Sequence, residues 1–147
     1  MRNKDLDRLD VLTGSWDTTL TNAWFLEPAD QEVPGSATIE WLADAFLVAR
    51  WTMQGDVGEA TSEQVLVLGR SDARDELTAL YHDERGVCRV FDMTFDGSRW
   101  TLVREDPDMH QRFVADVSPD RLDGRWEASE DQGSTWRKDF DLIFTRR

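Results

Sequence analysis

The sequence predicts an all-β chain closed into an antiparallel up-and-down barrel of about ten strands, with a short helical plug at its amino end. Three observations carry this prediction. Between residues 15 and 145, apolar and polar residues alternate in ten short segments, the period of a half-buried strand. The connections are mostly short and rich in turn chemistry, among them Asp96-Gly97, Glu84-Arg85-Gly86 and Ser118-Pro119-Asp120, and no helix intervenes. Gly14 stands two residues before Trp16, so that backbone can pass close beneath a barrel floor that the indole then fills. Ten strands in such a meander favour closure on themselves, and a two-sheet sandwich is the alternative. With no composition break, residues 1–147 form a single domain.

Taken in order, Leu6, Leu9 and Leu12 recur every three residues between polar neighbours, which predicts one or two helical turns capping the barrel, ended by Gly14. The first strand, 15–21, follows. The longest connection, 22–34, carries Trp24, Phe25, Pro28 and Pro34, and an apolar connection of this kind reads as a lid. Strands at 35–42, 45–53 and 62–69 come next, the last placing Gln64 as a candidate interior polar residue. In 77–83 the inward set by alternation is Leu77, Ala79, Tyr81 and Asp83. In 87–96 the bulky odd positions Val87, Arg89, Phe91, Met93 and Phe95 share one side, and in 99–105 the matching set is Trp100, Leu102 and Arg104. The strand 110–117 adds Phe113 and Gln111, 121–128 adds Leu122 and Trp126, and 136–145 adds Trp136, Phe140, Leu142 and Phe144.

An apolar interior thus holds a polar minority, and buried arginines require partners. Asp83 and Arg89, on adjacent strands, are expected to satisfy each other. Arg104, helped by the Tyr81 hydroxyl, is then the donor for the polar head of a molecule whose body lies against the aromatic rings.

Thirty acidic residues against seventeen basic ones give a formal charge of -13, which excludes most nucleic-acid and anionic-membrane roles because a phosphate surface repels this one. Seven Trp and seven Phe supply the bulk for a large apolar interior. One cysteine, Cys88, rules out an internal disulfide, and no segment has the profile of a signal peptide or the apolar length of a membrane span, so a cytoplasmic protein is expected. His82 and His110 fall on the outer face, as does Cys88, and no metal-ligand spacing or phosphate-binding glycine loop occurs. The acidic run Ser129 to Trp136 lacks the alternating oxygen ligands and closing glutamate of a calcium loop and reads as a polar hairpin turn. No cofactor or metal is expected.

The opening Leu12-x-Gly14-x-Trp16, the central run from Tyr81 to Val90, the block Met93-Thr94-Phe95-Asp96-Gly97-x-x-Trp100 and the closing Gly124-Arg125-Trp126-Glu127-x-Ser129 with Gly133-x-Thr135-Trp136 together resemble a lipocalin-like, calycin-type group of small bacterial proteins of unknown function, related in fold to nitrobindins and fatty-acid-binding proteins. The resemblance implies a barrel with a cavity. It does not extend to the haem histidine of the nitrobindin branch, since no histidine follows His110. The fatty-acid-binding branch implies an interior arginine and tyrosine holding a carboxylate, a part that Arg104 and Tyr81 can play.

The expected function is binding of a small, mainly apolar molecule, with or without a carboxylate, by Tyr81, Asp83, Arg89, Phe91, Met93, Trp100, Arg104, Phe113 and Trp126. The alternative is a cofactor-independent isomerase, cyclase or lyase in which Asp83 is the general base and Tyr81 or Arg104 steadies an oxyanion. A partner-binding module using the acidic outer face is the third class, and a homodimer is compatible with it. A paired Asp83 has a depressed pKa and favours binding, whereas one among aromatic rings alone is raised and favours catalysis.

Overall fold

The computed structural model describes residues 1–54 and 63–147, so residue 62, the expected start of the fourth strand, lies outside the described residues. Ten strands follow a 3-10 helix, Lys4–Leu12: β1 (Gly14–Thr21), β2 (Val33–Leu42), β3 (Phe46–Met53), β4 (Glu63–Arg70), β5 (Leu77–Asp83), β6 (Cys88–Phe95), β7 (Arg99–Glu105), β8 (His110–Ser118), β9 (Arg121–Ser129) and β10 (Arg137–Arg146). Each strand pairs antiparallel with its chain neighbours, and β1 pairs with β10, from Trp16 opposite Arg146 to Thr21 opposite Asp141. The barrel is therefore closed, and the sandwich alternative is excluded. No helix among the described residues is long and apolar enough to cross a membrane.

The 3-10 helix seals one end. Its N-cap, Asn3, accepts a hydrogen bond from the Asp5 N–H at 2.9 Å, and three residues per turn bring Leu6, Leu9 and Leu12 onto one buried face. Trp16 lies directly above, wholly buried, its Nε1 donating to the Leu12 carbonyl at 3.0 Å and its ring edge-on to Phe144. Arg146 completes the floor. Its guanidinium stacks 4.1 Å from the Trp16 ring and donates to the carbonyls of Thr13 at 2.6 Å and Val11 at 2.8 Å. Gly14 is favoured here because its φ is +129°, and a Cβ would lie 2.5 Å from Nη1 of Arg146, which would have to shift.

Above the floor the interior is filled. Trp100 packs edge-on against Phe113 at 5.2 Å between centroids, and Phe113 tilts against Trp126 at the same distance. Gly124 makes this possible, since a Cβ there would lie 2.6 Å from the Phe113 ring and 2.8 Å from the Leu142 carbonyl. The void left among Ile39, Trp51, Leu66, Trp100, Phe113 and Phe144 is about 10 Å³, enough for no more than one water.

Two irregularities lie towards the opposite end. The β6 and β7 ladder runs only from Phe95 opposite Trp100 to Asp92 opposite Val103, so the wall splits beyond those residues. A bulge between Lys138 and Phe140 turns Asp139 inward and shifts the register of β10. That bulge corrects the expected face of Trp136: it precedes the strand, outside the interior, with the Arg112 guanidinium stacked 3.9 Å from its ring.

Candidate functional site

The mouth opposite the plug is where interior side chains stop filling the barrel. A cavity of about 210 Å³ opens there, lined by Gln64, Tyr81, Arg89, Phe91, Gln111, Trp126 and Phe140 from the strands, by Arg85, Met109, Arg137 and Asp139 from the rim, and by Trp24 and Phe25 above. Residues 22–32 form the cover expected of the 22–34 connection. Trp24 Nε1 donates to Asp139 Oδ1 at 3.1 Å, and Phe25 packs edge-on between Trp24 and Phe140. A second hollow, about 490 Å³ and open to solvent, flanks the mouth along the rim of β2 to β5, bordered by Arg50, Trp51, Gln64, Val65, His82 and Asp83.

Of the nine residues expected at a ligand site, Tyr81, Arg89, Phe91 and Trp126 line the mouth cavity. Arg104 stands at its edge, hydrogen-bonded to the lining residue Gln111, and Asp83 borders the neighbouring hollow. Met93, Trp100 and Phe113 are placed lower, in the packed interior, none more than 2 % exposed. Alternation assigns them the correct face but carries no information about height along the barrel.

The expected Asp83–Arg89 pair is not formed. Register sets Arg89 opposite Tyr81, while Asp83 lies beyond the β5–β6 ladder, opposite Gln64 of β4. The turn at Glu84-Arg85-Gly86, with Gly86 at φ +78°, folds Arg85 back so that its Nη2 donates to Asp83 Oδ2 at 2.6 Å and its N–H to Oδ1 at 2.9 Å. Tyr81 donates its hydroxyl to the same carboxylate at 2.8 Å. The Arg85 side chain above all, with the Tyr81 hydroxyl, lowers the Asp83 pKa to about 2.

Arg104 also acquires local partners. Its side chain is 3 % exposed, donating from Nε to Gln111 at 3.0 Å and from Nη1 to Asp106 at 2.7 Å and Asp108 at 3.3 Å, while its buried Nη2 makes no hydrogen bond. Arg137 is held by Asp139 at 2.7 Å and Glu130 at 3.3 Å. Arg89 differs from these: among the described residues no carboxylate lies within ion-pair reach of it, and its guanidinium sits 5.7 Å from the centre of the Tyr81 ring. Burial first, and the Arg104 charge second, lower its pKa from the ordinary arginine value.

Outside the mouth, His82 Nδ1 lies 3.1 Å from Cys88 Sγ on the outer face, since β5 and β6 set the two residues directly opposite. The sequence placed both outward without pairing them. The run after Ser129 is a self-contained turn in which Asp131 accepts from Ser129 and Thr135, and the Thr135 side chain above all lowers its pKa to about 2. No group of three or more His, Cys, Asp or Glu among the described residues is placed to hold a metal ion. Compared with models of known protein families and with curated proteins, the chain matches none.

Proposed function

We propose that this chain binds a small, mainly apolar organic molecule at the mouth of its barrel, in the manner of a lipocalin-like, calycin-type carrier. The observation that carries the reading is the cavity of about 210 Å³ walled by Phe91, Trp126 and Phe140 and covered by Trp24 and Phe25. Concave sites with aromatic walls and a few convergent polar groups are where small ligands bind. The closed ten-strand meander supports the calycin-type reading, because closure removes sheet edges and leaves one open end. Catalysis with Asp83 as general base is the weaker reading: a carboxylate held at about 2 accepts protons too weakly near neutral pH.

Titration with a neutral naphthalene-sized fluorophore should quench tryptophan emission saturably, since Trp126 and Trp24 line the cavity. Phe140→Asp, which puts a charge on the half-buried rim rather than in the packed interior, should abolish quenching while preserving the far-ultraviolet circular dichroism. Undiminished quenching in that variant would place the bound molecule elsewhere.

A further inference from the structure

The outer wall of the barrel is not uniform. An antiparallel sheet with one solvated face ordinarily carries polar side chains there. On β3 to β6 it does not: Val48, Val67, Leu80 and Val90 stand directly opposite one another across four adjacent strands, outside the packed interior, with Leu80 41 % and Val90 62 % exposed. The sequence marks the same place, since Val65-Leu66-Val67-Leu68 is apolar on both faces of β4, a pattern that belongs to strands covered on both sides. On β8 and β10 the outward apolar side chains stand singly, Val114 between Thr101 and Arg125 and Ile143 between Thr19 and Asp123. A contiguous apolar row rimmed by polar residues marks a surface that meets another molecule. Charge indicates which one. The chain carries -13, which drives copies apart, yet this row and the two rows flanking it hold one cation and one anion, Arg50 and Asp92, at diagonally opposite corners. Asp92 meets Arg74 at 3.6 Å, a pair exposed on both sides and therefore weak.

We infer that this face is where two copies of the chain meet, their strands crossing near a right angle about a twofold axis. The neutral patch is the part of an acidic surface that a second acidic copy can approach, and each copy offers the other the same apolar row. Where the two charges stand fixes the crossing. An axis lying between the copies and running diagonally to the strands sets Arg50 of each on Asp92 of the other, so that two ion pairs flank an apolar centre. It also brings the Val67 and Leu80 side chains of both copies together, and it seats Val48 beside Gly69, which has no side chain to obstruct it. Orthogonal packing is one of the two ways in which sheet faces stack. The same axis passes through Cys88, so the sole cysteine of each copy, exposed on this wall, faces its counterpart. At about 4.8 Å between strands and about 3.4 Å per residue, the patch spans about 14 by 14 Å between Cα atoms, or roughly 400 Å² with its overhanging side chains. That is about half of one partner's share of a standard interface, so the pair is weak and assembles with concentration. None of these side chains lines the mouth cavity, and the association stands or falls apart from ligand binding.

Sedimentation equilibrium of the full chain, from about 5 μM to about 1 mM in about 150 mM salt to screen the long-range repulsion, tests the contact. The apparent mass should rise from one chain towards two. Val90→Lys, which lowers the net negative charge at an exposed position, should nevertheless weaken association about tenfold or more. Arg50→Glu and Asp92→Arg shift the net charge in opposite directions, yet each should weaken association about tenfold. The two combined should return to within about threefold of the parent, because the swap rebuilds both ion pairs with their signs exchanged. As a second measurement, bismaleimidoethane should join two parent chains through Cys88 and largely fail to do so in Val90→Lys at the same concentration. A mass that stays at one chain up to the highest concentration overturns the proposal, as does association that survives Val90→Lys. A double swap no tighter than its single variants, or crosslinking no more efficient in the parent than in Val90→Lys, overturns the crossed register. Should Val90→Lys fail to fold, Leu80→Ser takes its place in both measurements, with the same outcomes.

Discussion

Asp83 shows how a local partner takes precedence over a distant one. Arg85 is two residues away and joined through a tight turn, so the chain entropy lost on bringing the pair together is small. Arg89 would have had to reach diagonally past Tyr81. Sequence alternation put both side chains on the interior face, but it has no means of ranking a turn contact against a cross-strand one. The carboxylate is held at about 2 against an ordinary 3.8, so it contributes stability that is fully present above the ordinary value and is lost as pH falls through about 2. Thermal melts should therefore separate parent and Asp83→Asn at pH 7, with the parent melting higher, and the gap should close as pH is lowered from about 4 to about 2. A gap of constant size over that interval would mean that the ionised carboxylate contributes nothing beyond what the amide supplies. Asp131, also held at about 2 in its solvent-exposed turn, and Asp96 and Asp108, whose pKa values are lowered too, contribute to the slope that survives in the variant.

At the scale of elements, strand positions were legible to within one or two residues, because every strand buries one face and a slip would expose it. The bulge in β10 was not. An extra residue in Arg137-Lys138-Asp139-Phe140 leaves the composition of the strand unchanged, and extrapolating the alternation across it sent Trp136 to the wrong side. Yet that residue positions the cover of the mouth, because Asp139 receives the Trp24 indole N–H and its carbonyl lies 3.4 Å from the Trp24 backbone nitrogen. Asp139→Ala keeps the carbonyl and removes the indole's acceptor. Amide exchange at residues 23–26 should then accelerate about tenfold, as expected for the loss of one partly buried charged hydrogen bond of about 1.5 kcal/mol, while exchange in β1 to β9 stays as in the parent. Unchanged exchange at Trp24 would assign the cover's stability to the contact between Phe25 and Phe140 instead.

For the whole molecule, closure of the barrel joins strands that are far apart in the chain, Trp16 lying opposite Arg146. The other nine seams link consecutive strands and need only short loops to close, so the first-to-last seam carries the largest ordering cost and is the one a folding chain makes late. Arg146 binds that seam to the floor through three carbonyls, those of Val11, Thr13 and Pro119. Contacts made after the rate-limiting step slow escape from the native state without hastening its formation. Arg146→Ala should cost about 2 kcal/mol, appearing as an unfolding rate raised roughly 30-fold with a refolding rate unchanged within twofold. Stopped-flow denaturant kinetics on both proteins would show it, and a slowed refolding limb would mean that the seam forms early. Gly14 and Arg146 thus act as a kinetic latch: what the floor contributes beyond packing is lifetime, and a barrel lacking it would still assemble at the parent's speed but come apart sooner.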